Sequence, residues 1–305
     1  MNTTIPKFPE YTPLKLEHKD ILDKYFEANT YGISDLTFAM LFVWRKSYQA
    51  RISVWKDCLS IVIEHPEIGL YSLVPLVTPG TPVKNDINGY ISDVFNYFSK
   101  FDKKYHLCAV PEIFVPSIKA DEFNVREDPG NFDYVYFAED LIGLRGKKFD
   151  GKRNKIKKCL AKYDCKYTAF SKELVPQAMK MLEEWCRIRK KCHEKALVYE
   201  MEAIRECLVN YENLKVKGGV IFIDNKIEAL AFSDRLSPDT AVINFEKANP
   251  LIDGLYQVIN QWHCKFGINE YKYVNREQDM NDPGLRKAKQ SYHPVHMAKK
   301  YAVFP

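Results

Sequence analysis

Two spacings of apolar residues alternate along the chain. Leu16, Ile21, Leu22, Tyr25 and Phe26 recur at helical intervals and predict a helix over 16–29. Ser34-Asp35 is suited to cap a second helix that runs through Trp44 towards Tyr48. The period then drops to two. Residues 50–54 and 58–64, joined at Trp55-Lys56-Asp57, predict a hairpin, and 70–77 a third strand. Pro79-Gly80-Thr81-Pro82 predicts a turn. A helix over 87–101 follows, with Ile91, Val94, Phe95 and Phe98 on one face, and then a strand over 106–110 that Pro111 closes.

The same order returns in the second half. Residues 149–163 predict a helix, 165–170 a short strand, and 176–189 and 199–211 two further helices. A hairpin over 215–223 and 227–236 turns at Asp224-Asn225-Lys226, and 240–246 adds a strand. Leu251, Leu255, Ile259, Trp262 and Phe266 form the stripe of a helix over 251–266. Residues 271–274 predict a buried strand, and 294–303 an extended end. Helices, a three-stranded meander, a helix and a further strand thus occur twice. The reading is a mixed α/β chain built from two copies of one unit, 1–135 and 136–305, joined somewhere within 128–146.

Composition narrows the class. The chain has 305 residues, 46% of them hydrophobic and 28% charged, which suits a folded protein with more than one core. Its longest apolar run, Phe38 to Trp44, is far short of the roughly 20 residues a membrane span needs. The opening residues lack the apolar core of a signal peptide, so a cytoplasmic location is expected. The eight cysteines show no C-x-x-C and no metal-ligand spacing, so free thiols and no metal are expected. The net charge of +5 is unevenly spread. Residues 1–140 hold 14 Lys+Arg against 20 Asp+Glu, and the remainder holds 31 against 20. An anionic partner (a nucleotide, a tRNA or a phospholipid headgroup) therefore belongs to the second half.

Two stretches carry candidate chemistry. Lys147, Lys148, Lys152, Arg153, Lys155, Lys157 and Lys158 crowd the start of a predicted helix, an unfavourable place for cations on the helix dipole. Lys148, Lys152 and Lys155 share one face by spacing, with Ile156 and Leu160 on another, which suits either a solvated basic helix or a phosphate or RNA-backbone contact. The second stretch is Asn275-Arg276-Glu277-Gln278-Asp279, where a buried strand runs into five polar residues. In open α/β sheets ligands lie beyond the carboxyl ends of such strands. Strand alternation would put Asn275, Glu277 and Asp279 on one face and Arg276 with Gln278 on the other. Asn244 and Glu246 end the neighbouring strand on a shared face. His263-Cys264, inside a helix, reads as a satisfied core position.

Three motifs carry a family likeness: Ser34-Asp35-Leu36-Thr37-Phe38 with Phe42-Val43-Trp44, the run Gly146 to Asn154, and Asn275 to Asp279 followed by Gly284 to Tyr292. Together they resemble a bacterial family of unknown function related to the C-terminal domain of phosphatidylglycerol lysyltransferases. The element order is similar to tandem acetyltransferase-like (acyl-CoA N-acyltransferase) domains, including the Fem-type transferases that use aminoacyl-tRNA. The resemblance implies an acyl- or aminoacyl-transferase that moves its group from aminoacyl-tRNA or a CoA thioester to an amine or hydroxyl. It leaves open a non-catalytic module that holds an anionic ligand, or peripheral contact with a membrane. Acetyl-CoA-dependent members carry a glycine-rich turn where this chain has Glu246 to Gly254 with one glycine and Pro250, which speaks against acetyl-CoA itself. On this reading Glu277 or Glu246 is the general base and Tyr292 a proton donor. Lys147, Lys148, Lys152, Arg153, Asn154, Arg276 and Lys289 hold the donor phosphates, and Asn244, Asn275, Asp279 and Ser291 contact substrate.

Overall fold

The computed structural model describes residues 4–80, 86–190 and 193–305. Thr81 and Pro82 of the predicted turn, and Cys192, lie outside them. Contacts divide the chain into two units. The first comprises Met1–Asp133, Gln278–Asp282 and Ala298–Pro305, and the second Tyr134–Glu277 and Pro283–Met297.

The first run of elements is β1 (Thr12–Pro13), α1 (Lys19–Ala28), α2 (Phe38–Trp44), β2 (Gln49–Trp55), β3 (Cys58–His65), β4 (Gly69–Ser72), β5 (Leu76–Val77), α3 (Ile87–Phe98), β6 (Tyr105–Pro111) and β7 (Asn124–Glu127). The second run begins with β8 (Asp133–Phe137), α4 (Ala138–Gly143), α5 (Asp150–Lys162), β9 (Lys166–Ala169), α6 (Val175–Arg189), α7 (Lys195–Val209) and α8 (Tyr211–Leu214). It continues through β10 (Lys217–Ile223), β11 (Lys226–Arg235), β12 (Thr240–Ala248), α9 (Leu255–Phe266), β13 (Tyr273–Asn275), α10 (Pro283–Gln290) and β14 (His296–Ala298). Strand β15 (Lys300–Phe304) closes the chain.

The two sheets repeat one plan. One runs β1-β2-β3-β4-β6-β15-β7, with β5 also on β3, and the other β9-β10-β11-β12-β13-β8-β14. In each, an antiparallel meander meets a parallel neighbour, β6 beside β4 or β13 beside β12, and an antiparallel strand follows. That next strand is distant in sequence from the meander it joins: β15 comes from the C-terminus, and β8 from the start of the second run. The extended end expected over 294–303 is therefore two strands with different partners. The hairpin turns form where short polar residues tolerate a left-handed backbone. Asp224 (φ 50°) and Asn225 (φ 61°) link Ile223 to Lys226.

The Ser34-Asp35 cap does not form. Helix α2 starts three residues later, where Thr37 Oγ1 accepts from Met40 N at 3.2 Å. Ser34 and Asp35 are instead drawn to Lys300, which is fully buried. Lys300 Nζ lies 2.7 Å from Asp133 Oδ1, 2.5 Å from Asp35 Oδ2 and 3.2 Å from Ser34 Oγ. Ser34 donates to Asp133 through its backbone N–H at 2.6 Å and its hydroxyl at 2.9 Å. Burial works against the Lys300 charge, and the two carboxylates more than reverse that, so it stays protonated.

In the second unit His263 of α9 is fully buried, with Nε2 2.9 Å from Ser233 Oγ and Nδ1 3.1 Å from the Tyr167 hydroxyl. It is the satisfied core position its sequence context suggests. The cysteines agree with the sequence only in part: Cys58, Cys108, Cys159, Cys165, Cys207 and Cys264 are free, but Cys186 is disulfide-bonded.

Two stability measurements follow. Lys300→Met strands two carboxylates without their cation and should cost about 3–5 kcal/mol in urea unfolding. Adding Asp133→Asn should recover part of it, and a loss below about 1 kcal/mol would contradict the assignment. Burial, with Lys217 nearby, lowers the His263 pKa from 6.5 to about 4. Between those values the unfolded chain binds a proton the folded one refuses, so stability falls as pH drops from 6.5 towards 4, by about 3 kcal/mol. His263→Gln should flatten that slope relative to wild type in urea titrations across the window.

Candidate functional site

The site is built on the parting of two parallel strands in the second unit. β12 and β13 pair only at Thr240↔Tyr273, Ala241↔Val274 and Val242↔Asn275. Beyond that register β12 continues to Ala248 against β11, while the chain after β13 leans to β8. Arg276 N donates to Tyr134 O at 2.9 Å, and Tyr134 N to Glu277 O at 3.2 Å. The carboxyl ends of both strands therefore open on one gap.

Strand alternation stops at Asn275, so the expected face of Asn275, Glu277 and Asp279 does not exist. Glu277 has φ 56°, a left-handed backbone that costs a non-glycine residue about 1 kcal/mol or more. The fully buried Asn275 holds it there, its Oδ1 accepting from Glu277 N at 2.7 Å. Asp279 belongs to the first unit, where it is buried and its Oδ1 accepts from Asn281 N at 2.8 Å. Asn275 and Asp279 thus each accept from a backbone N–H two residues ahead and shape the turn.

What does gather is a half-buried polar cluster. Arg276 Nη2 lies 3.3 Å from Glu246 Oε1, both side chains 14% exposed. Asn260 Nδ2, from α9, donates to Glu246 Oε2 at 2.9 Å, and Asn244 Nδ2 lies 3.5 Å from Glu277 Oε1. Burial works against the Arg276 charge, and Glu246 with Tyr136 and Tyr292 more than reverses it. Among the described residues, three buried atoms of the cluster have no hydrogen-bond partner: Arg276 Nη1, Asn244 Oδ1 and Asn260 Oδ1. An unmet buried polar group costs about 1–3 kcal/mol, and three around one ion pair imply a ligand or solvent that meets them.

Tyr292 does not stand free as a proton donor. Its buried ring lies 4.7 Å from the Arg276 guanidinium and 4.1 Å from Lys152 Nζ. Burial raises its pKa well above the usual tyrosine value. Tyr292 is better described as positioning Arg276 between two strands of contact. Lys289 is buried as well and donates to Arg276 O, while Tyr136 donates to Lys289 O at 2.8 Å. Lys289 thus holds the backbone of the site.

The basic helix divides into three groups. Lys152 borders the buried face of Phe149, Ile156 and Cys159 and is half-buried there, whereas its neighbours Lys148 and Lys155 are exposed. Leu160, expected on the apolar side, is 38% exposed. Lys152 Nζ donates to Ser291 Oγ at 2.6 Å, and burial followed by the Arg276 charge lowers its pKa to about 8. Arg153 is committed to structure: it bonds Leu144 O, Gly146 O (2.8 Å) and Asp150. Lys148 pairs with Asp140 at 3.3 Å and Lys155 with Asp253 at 3.1 Å. Lys147, Asn154, Lys157 and Lys158 are exposed, and the three lysines have no carboxylate partner among the described residues. The backbone of α5 also lies against the start of α9. A Cβ on Gly254 (φ 88°) would sit 2.4 Å from Lys155 O, so only glycine fits there.

The cluster brings together Glu246, Arg276, Glu277, Asn244, Lys152, Ser291 and Tyr292. Sequence reasoning missed Asn260 and Tyr136. Asn260, which is 1% exposed, had a sequence signal only in being a polar residue directly after Ile259 of the apolar stripe of α9. Burial raises the Cys264 thiol, beside Arg276, to about 12, so it is no nucleophile. Among the described residues no group of three His, Cys, Asp or Glu side chains suits a metal ion, and no helix is long and apolar enough to cross a membrane.

Comparison with known proteins agrees with this architecture. A conserved protein of unknown function from Bacteroides thetaiotaomicron VPI-5482 superimposes with a TM-score of 0.87 at 28% identity, covering 98% of this chain and 99% of that one. The structure of L-PGS from Bacillus licheniformis gives 0.61 at 14% identity, covering 99% and 94%. A tandem GNAT protein from the clavulanic acid biosynthesis pathway gives 0.54 at 7% identity, covering 96% of this chain and 97% of that one, a likeness of fold alone. No curated protein matches the chain. The fold is thus a tandem acetyltransferase-like one. Residues 28–304 match the family described as phosphatidylglycerol lysyltransferase, C-terminal, and the chain belongs to that family.

Proposed function

We propose that the protein transfers an aminoacyl group from the ester of a phosphate-rich donor, aminoacyl-tRNA foremost, to an amine or hydroxyl. One observation carries this reading: the unmet atoms around Glu246 are two acceptors and one donor, Asn244 Oδ1, Asn260 Oδ1 and Arg276 Nη1. The acceptors, beside the Glu246 and Glu277 carboxylates, suit an ammonium group. Arg276 Nη1 suits a carbonyl oxygen. An α-aminoacyl ester presents both on adjacent carbons. Family membership and the exposed lysines of α5 support the same donor class.

In the reaction the acceptor oxygen or nitrogen attacks the ester carbonyl as Glu277 takes its proton. Arg276 Nη1 stabilises the negative oxygen that develops, in a site where its charge is already fixed by Glu246. The bond from the carbonyl carbon to the ribose oxygen then breaks, and that oxygen takes the proton back from Glu277. Lys152, with Lys147 and Lys148 at the helix start, would neutralise donor phosphate. A CoA thioester can undergo the same exchange at its carbonyl. Its pyrophosphate, however, would compete with the α5 backbone for the start of α9, so the tRNA ester ranks first. Such a donor implies action in the cytoplasm. A second reading, an anion-holding module without turnover, draws on the neutralisation of Glu246 by Arg276.

An assay of transfer from a charged tRNA pool and from an acyl-CoA panel separates these. Glu277→Gln should lower kcat by about 10²–10⁴, and Arg276→Lys by about 10²–10³, with thermal melts unchanged enough to show folding. Tight, salt-sensitive tRNA binding with no transfer from any donor would favour the second reading, and a Glu277→Gln enzyme as active as wild type would refute the first. Because Lys152 loses its proton near pH 8, donor affinity should fall as pH rises through about 8. Lys152→Arg, which stays charged, should keep its affinity to higher pH.

A further inference from the structure

The first unit carries a cavity of about 370 Å³ that the proposed transfer reaction does not use. Its size lies within the range of small-molecule sites, about 300–1,000 Å³. Tyr31, Val77, Ile87, Ile113 and Phe114 supply its apolar wall, with the Tyr31 and Phe114 rings edge to face at 5.0 Å. Two hydroxyls, Thr78 and Ser117, also line it. Among the described residues, no Asp, Glu, Lys or Arg does.

The duplicated fold gives this cavity an internal reference. It occupies the corner between the first helix of the unit, the end of the meander and the start of the following helix: α1, β5 and α3. Near the matching corner of the second unit, where α6 meets Glu228 of β11 and Asn249 just beyond β12, the space is only about 10 Å³. There Trp185 of α6 is 4% exposed and its indole N–H donates to the Tyr256 hydroxyl of α9 at 3.0 Å. Helix α6 has 15 residues and α1 only 10, so α1 stops at Ala28 before it can deliver a comparable side chain. The fold can close this corner, and the first unit leaves it open.

Three details define what fits. Asn29 spends its side chain on both backbone groups of Val77, accepting from Val77 N at 3.0 Å and donating to Val77 O at 2.9 Å, so the strand end offers no bare edge. Asp86 caps α3, its Oδ1 accepting from Gly89 N at 2.9 Å and its Oδ2 2.9 Å from Lys56, so the positive end of that helix is already answered. An anion therefore gains nothing there. Ile113, at the cavity wall, is 72% exposed, a large apolar side chain left in water. We infer that the first unit binds an uncharged, largely aliphatic ligand in this corner, an alkyl chain whose neutral head meets Thr78 or Ser117.

The probe is 1-octanol, titrated by isothermal calorimetry into the full chain, with 1-heptanol, 1-hexanol and octanoate as comparisons. Saturable one-to-one binding is expected, weakening about fourfold for each methylene removed. Ser117→Trp and Ala28→Trp place bulk into the cavity from two exposed positions, and a thermal melt checks that each still folds. Both should lose binding, while tRNA-dependent transfer, if present in wild type, should persist. Absence of saturable binding, octanoate binding more tightly than octanol, or wild-type affinity in both folded Trp variants would each overturn the inference.

Discussion

Two parallel strands that pair for three residues and then separate organise the second unit. Once β13 leaves β12 after Val242↔Asn275, the outer edge of β12 and the exit of β13 face a gap that no ladder closes. Buried polar backbone near such a gap cannot be left among hydrocarbon alone. The chain answers with side chains that are polar and mutually constrained. Arg276 is tied to Glu246, Asn260 to the same carboxylate, and Lys289 and Tyr136 brace the backbone of Arg276. The left-handed turn at Glu277 follows from the same separation, because the strand must leave the ladder within one residue.

An ion pair of this kind is weak support for stability. Desolvating Arg276 and Glu246 costs several kcal/mol per ion, and a pair of apolar residues would fill the gap at lower cost. Its place is better explained by what it does to neighbouring atoms. Arg276 keeps one nitrogen for Glu246 and leaves another without a partner, and each asparagine does the same with its carbonyl oxygen. The charge is fixed and oriented before any ligand arrives, which is the condition for strong electrostatic stabilisation of a developing oxyanion. The first unit contrasts with this. Its own charged cluster, Lys300 with Asp133 and Asp35, ties β15 into the sheet, and the described residues that line its cavity are neutral.

Local pattern made most of the fold legible. Period-two runs gave both meanders, the Asp224-Asn225 turn gave its hairpin, and the repeated order gave the two-copy architecture. The exit of β13 and the end of β12 were also readable as neighbouring ends of a sheet, so Glu246, Arg276, Glu277 and Asn244 were found together. The failures share one cause: they depend on contacts distant in sequence. Lys300 meets Asp133 across 167 residues, and nothing near Ser34-Asp35 announces that a C-terminal lysine will claim them instead of a helix cap. Lys152 shares the side of Lys148 and Lys155 by spacing, yet it is half-buried beside Phe149, Ile156 and Cys159, which charge spacing alone does not reveal. The flip at Glu277 broke an alternation that holds only while a strand continues.

The central claim is that the groups around Glu246 recognise an aminoacyl function through both its ammonium and its carbonyl. The direct measurement is the affinity of a non-hydrolysable aminoacyl-adenosine amide compared with its N-acetylated form, by calorimetry at pH 7. Loss of a charge-assisted contact predicts that acetylation weakens binding about 10- to 100-fold. Equal affinity of the two compounds would contradict the account.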